Sequence, residues 1–288
     1  MLGKLIKYEW KSTYKMGIIL LLALGMATLI GCLAFQAPMW KEIQSRHYYI
    51  ETMGVTMMNV VSVFSFILYL LLLTGAVYAI FIYLVVHFYR SMYTDEGYLL
   101  HTLPVTKNQI LVSKILVSVI WVFLVYIGLM LSIFIFLLVL ISVAAGEDVF
   151  MVMRELTEIL GELKDLFSIL FEELEITWTV VASILNLILG VPMAVIIMFG
   201  AVSLGQLFSK HRVLMAILCY VGILIVRWLL RSVIHGISWA GMISSTTGQG
   251  FFDYTNMTLY SDLVLELFLA VGCYLASYFI TSKKLNME

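Results

Sequence analysis

Charge is what this chain has least of. Of its 288 residues only 12% are Asp, Glu, Lys or Arg, about half the usual share for a soluble domain. Too little polar material is present to cover a globule of this size. Proline is scarce as well, at three, and the 19 glycines show no period, so collagen-like and low-complexity disordered readings are excluded. The three cysteines, Cys32, Cys219 and Cys273, lie inside apolar runs without a short pair spacing and read as small hydrophobes rather than disulfides or metal ligands. Lys and Arg number 17 against 18 Asp and Glu, for a net charge of −1. No nucleic-acid partner is implied.

What is abundant is hydrophobic residues, 62% of the chain with a mean hydropathy of +1.04. A membrane-crossing helix needs roughly 20 predominantly apolar residues. Six runs meet or approach that, at 16–35, 60–86, 115–145, 180–204, 213–230 and 259–280. The expected fold is an all-α polytopic membrane protein, one transmembrane domain over 1–288. Pro192 lies within the fourth run and is expected to kink it. The fifth run is short and ends at Arg227 and Arg231.

Six spans place both termini on one side, and the distribution of charge decides which. The N-terminus, residues 87–114 and 205–212, and the C-terminal tail together hold eleven basic residues and four acids, a sum of +7. The opposite side keeps six basic residues and fourteen acids, a sum of −8. Basic residues stay in the cytoplasm, so the expectation is N-in, C-in.

Residues 1–15 predict a cytoplasmic interfacial helix. At 100° per residue Lys4, Lys7, Lys11 and Lys15 share one arc, with Leu2, Leu5, Ile6 and Trp10 opposite, as in helices that lie on a membrane surface. Glu9 falls in the apolar arc, where a carboxylate is costly without a partner. Two readings stand: it snorkels or pairs with a neighbouring lysine, or it accepts hydrogen bonds from another cytoplasmic element.

The region 88–110 is organised. Thr94 or Asp95 caps a short helix bearing Tyr98, Leu99, Leu100 and Leu103. Pro104 stops it, and Thr106 with Gln109 forms a capping box that starts the next helix. A partner interface is the expected reason, with a packed connector as the alternative.

On the outer side, 146–176 carries nine carboxylates against Arg154 and Lys164, and Val152, Leu156, Ile159, Leu163, Leu166 and Leu170 form one stripe. An external acidic amphipathic helix is expected there. The segment 232–258 is expected to be external or re-entrant. Arg227 and Arg231 are four apart, as are Asp262 and Glu266. Both pairs fall near the outer boundary, either as ion pairs with each other or snorkelling to headgroups.

Motifs for chemistry are missing. No phosphate-cradling G-x-x-x-x-G-K-[ST] occurs, nor H-E-x-x-H, nor G-x-S-x-G, and the five histidines lack ligand spacing. No catalytic, cofactor-binding or metal-ligating residue is assigned, and an enzyme acting alone is not expected.

Lys7-Tyr8-Glu9-Trp10-Lys11 precedes the spans, and Tyr98-Leu99-Leu100-His101-Thr102-Leu103-Pro104-Val105-Thr106-Lys107, then Gln109-Ile110 and Ser113-Lys114, stand between the second and third. On these residues the chain resembles the permease subunit of ABC-2-type ABC transporters of bacteria. The resemblance implies a half-transporter in the bacterial plasma membrane, in the sense of export, with two permease copies or paralogues forming the path. It implies that ATP and magnesium are bound by a separate ATPase subunit and none by this chain. The ATPase-coupling residues would then be Glu9, Thr94, Asp95, Glu96, Gly97, Tyr98, Leu99, Leu100, His101, Thr102, Leu103 and Pro104. The alternative is a membrane immunity or sensor protein that binds a cationic peptide through the acidic external helix.

Overall fold

The structure is a computed structural model of the chain. It describes residues 2–36, 53–94, 97, 105–145, 176–208, 210–244 and 250–284, with a few positions between 149 and 161. Six long helices account for nearly all of these: α1 (Leu2–Gln36), α2 (Met53–Tyr93), α3 (Lys107–Ala145), α4 (Ile176–Gly205), α5 (Arg212–Ser244) and α6 (Gly250–Phe279), the last running into a π-helical turn at Ile280–Lys284. Each holds a stretch long and apolar enough to cross a membrane. The chain is a multi-pass membrane protein.

Two boundaries differ from those expected from hydropathy alone. The lysine-bearing residues 2–15 and the first apolar run form one unbroken helix, because nothing between Lys15 and Gly17 breaks it and a single glycine costs only about 1 kcal/mol. The fifth helix does not stop at residue 230 but continues to Ser244. The segment 232–258 is therefore divided between the end of α5 and the beginning of α6, with 245–249 outside the described residues. α4 is helical through Pro192. Most of the acidic segment 146–176 lies outside the described residues. Within it, 151–155 are helical, Val152 is buried, and Arg154 and Glu158 form an exposed i,i+4 pair at 3.5 Å, a contact worth little at a surface.

The chain divides into two compact units. One comprises residues 13–82 and 121–168. Without a hydrophobic drive between helices in lipid, close packing and shared polar groups hold such bundles together. Here the Thr28 hydroxyl lies 2.9 Å from Ser132 Oγ, which lies 3.0 Å from the Tyr69 hydroxyl. The Tyr69 ring stacks on Phe136 at 4.7 Å. Trp121 Nε1 donates to Thr13 Oγ1 at 2.9 Å, and its ring fills the space beside Gly17 so closely that a Cβ there would overlap it.

The other unit comprises residues 1–12, 83–120 and 169–288. In it α4 packs on both α5 and α6, around Met193, Ile197, Ala270 and Cys273 with Tyr220 and Ile223 against them. Glycines set the crossings: Gly200 abuts Cys273, and a Cβ on Gly205 would stand 2.6 Å from the Ala216 backbone. Asn186 Nδ2 donates to the Leu259 carbonyl at 3.1 Å and Thr179 to Asn256 at 2.7 Å.

Candidate functional site

Within the second unit the first turns of α1, the last of α2 and the first of α3 carry polar side chains on buried positions. Every fourth residue of α1 from Leu5 turns inward, giving Leu5 and Glu9. The lysines 4, 7, 11 and 15 stay exposed. Glu9 is 4% exposed and Lys114 3%, so each charge would be prohibitive alone. Lys114 Nζ donates to Glu9 Oε1, and to Ser91 Oγ at 2.7 Å. Glu9 Oε2 lies 3.1 Å from His87 Nε2, and His87 stacks on Tyr83. His87 and Ser91 are one helical turn apart on α2 and so face the same point. Three helices are thus joined by one carboxylate.

Just beyond, α2 docks on α4. The Phe88 and Phe199 rings stack at 4.0 Å with 5° between planes, and the Tyr93 hydroxyl donates to Ser203 Oγ at 2.8 Å. The chain then turns: Gly97 N–H donates to the Thr94 carbonyl at 2.8 Å. Gly97 is pressed against the Met92 carbonyl where a Cβ would not fit. Of the expected coupling residues, Thr94 and Gly97 are described at this turn. Asp95, Glu96, Tyr98, Leu99, Leu100, His101, Thr102, Leu103 and Pro104 lie outside the described residues. Where the chain is again described, Thr106 caps α3, its Oγ1 accepting from Gln109 N–H at 3.4 Å. Lys107 Nζ then donates to the Thr281 carbonyl at 2.9 Å, a cation on the last carbonyls of a helix where the backbone dipole favours it. Tyr274 donates to Asn108 beside it. The segment 95–104 therefore leaves and re-enters helices that are tied to α1, α4 and α6.

A second polar cluster joins α5 and α6. Arg227 donates through Nη2 to Glu266 Oε1. Arg231 donates through Nη2 to the same oxygen at 3.2 Å and through Nε to Asp262 Oδ1 at 2.8 Å. His235 Nε2 lies 3.2 Å from Asp262 Oδ1. One turn further, Trp239 meets Tyr254 edge-on at 5.7 Å. Arg227, Arg231, His235 and Trp239 step by four along α5 and meet Glu266, Asp262 (shared by Arg231 and His235) and Tyr254 in reverse order along α6, so the groups form a ladder in an antiparallel hairpin.

Sequence reasoning singled out Glu9 and the four ladder ions but missed His87, Ser91 and His235. For His235 a signal was present, since it continues the spacing of four from Arg227 and Arg231. For His87 and Ser91 the spacing of four is equally visible, but nothing local connects them to Glu9. Among the described residues no group of three or more His, Cys, Asp or Glu is arranged to hold a metal. The chain matches no family model, no curated protein and no solved structure.

Proposed function

We propose that this chain is the permease subunit of an ABC-2-type ABC transporter, working in the sense of export. One observation supports the reading most: the Leu-Pro-Val-Thr-Lys segment between α2 and α3 has both its flanks braced. Its entry is tied to α4 through Tyr93 and Ser203, its exit to the end of α6 through Lys107 and Thr281. Behind it, Glu9, His87 and Lys114 bind α1 to both flanking helices. A connector with no partner has no need of such bracing, whereas a lever must not bend at its root.

In this reading the N-terminus, the 94–106 segment and the C-terminus are cytoplasmic, in line with the excess of basic residues on that side, in the plasma membrane of a bacterium. The short leucine-rich segment seats on a separate ATPase subunit, which holds ATP and magnesium and carries out hydrolysis. Closure of the ATPase pushes on 94–104, and the braces pass the movement to α1, α2, α3, α4 and α6 together. Glu9, buried among its partners, is then a positioning residue rather than a contact with the ATPase. A second permease copy or paralogue completes the path.

The test is Leu99→Asp with Leu100→Asp. The double variant inserts in the membrane as the wild type does and loses the co-purifying ATPase. Retention of the ATPase by a correctly inserted double variant overturns the placement of the interface.

A further inference from the structure

The α5–α6 ladder lies partway along two helices that are each long and apolar enough to cross a membrane. The apolar part of α5 begins after Lys210 and Arg212, and that of α6 ends before Lys283 and Lys284, so both helices have charged anchors on the same side. Arg227 stands 14 residues beyond Val213, and Glu266 14 residues before Ile280, about 21 Å of helix in each case. In a hydrocarbon core about 30 Å thick, the Arg227–Glu266 pair is thus about 9 Å below the opposite surface. Arg231 and Asp262 are one turn nearer to that surface, and His235 reaches it.

Arginine is long enough to snorkel from that depth, but glutamate is not, and the arginines turn to the carboxylates instead. Pairing does not exhaust them. The two guanidinium groups carry ten N–H donors, of which three are bonded within the described residues. The Arg227 and Arg231 side chains remain 27% and 34% exposed. Spare N–H groups facing hydrocarbon are strongly disfavoured, and ionisable residues at such depths face water or other polar groups. The opposite face of α5, with Ile225 and Leu229 half exposed, is purely apolar and suits lipid.

We propose that the ladder lines a water-filled vestibule, entering the membrane from the side where α5 ends and α6 begins, in which the spare guanidinium N–H groups receive solutes rich in hydrogen-bond acceptors. This deepens the transport reading by naming one wall of the path, yet it rests on the helices and not on the ATPase, so the two fail separately.

The experiment uses the full chain with Cys32, Cys219 and Cys273 replaced by serine, and single cysteines at three positions. Arg227→Cys and Leu224→Cys lie on the ladder face about 9 Å or more below the surface, and Ile225→Cys lies on the opposite face at a similar depth. The probe is the anionic, membrane-impermeant reagent 2-sulfonatoethyl methanethiosulfonate, applied both to whole cells and to inside-out vesicles. Thiols react as thiolates, which need water, so at least one ladder position reacts, in one of the two preparations, about tenfold or more faster than Ile225→Cys. Silence of both ladder positions in both preparations overturns the proposal. So does spontaneous disulfide dimerisation through them, which would make this face a contact between copies.

Discussion

Lys114 donates to Glu9 from 105 residues away, and both are almost fully removed from solvent. A pair of this kind contributes little net stability over an apolar replacement, but breaking one side strands the other. Lys114→Met or Glu9→Leu alone should therefore destabilise the chain by about 3 kcal/mol or more, seen as a lower melting point in detergent by size-exclusion fluorescence. Combining the two should recover most of the loss. If the double variant is as unstable as the sum of the singles, the pair is not the unit described.

The same logic of removal applies to the ladder. Arg231→Met and Asp262→Leu should each destabilise, and the double variant by less than their sum, with a coupling of about 0.6–1.7 kcal/mol as found between helices in membranes. A cycle that closes with no coupling removes the pairing.

Gly17 and Trp121 make a steric prediction. Since a Cβ at position 17 would overlap the indole, Gly17→Ala should cost about 1–3 kcal/mol, and Trp121→Leu in the same chain should relieve part of it. Thermal stability of the two singles and the double checks this.

Glycines elsewhere separate by position. Gly205 faces the Ala216 backbone, which cannot give way, while a Cβ at Gly222 meets nothing within 4 Å. Gly205→Val should lose the peak of folded protein in size-exclusion chromatography, whereas Gly222→Ala should keep it and gain up to about 1 kcal/mol from helix propensity.

Which parts of this were legible beforehand follows from the range of the forces. Apolar runs such as 115–145 and 180–204 declare their helices because partition into lipid is a local property of sequence. The extension of α5 past residue 230 was hidden for a related reason. Arg227 and Arg231 look like the end of a span until the carboxylates that neutralise them, 31 to 39 residues later, are brought alongside by the hairpin. Glu9 was visible as an anomaly in an apolar arc. Its partners were not, because His87 and Lys114 are placed by packing across sequence distances of 78 and 105. Likewise Lys107 could be read as part of a motif, but its seat on the Thr281 carbonyl depends on where the last helix ends.

The central claim is that the segment between α2 and α3 meets an ATPase. The direct measurement places a photo-crosslinking amino acid at Leu99 or Leu100 and, as a control, at the half-exposed Ile225, in cells of the source organism, with the adducts identified by mass spectrometry. The account predicts an adduct of this chain with the ATPase from 99 or 100 and none from 225. ATPase that co-purifies with the chain but never crosslinks to 99 or 100 would contradict it, as would the absence of any association.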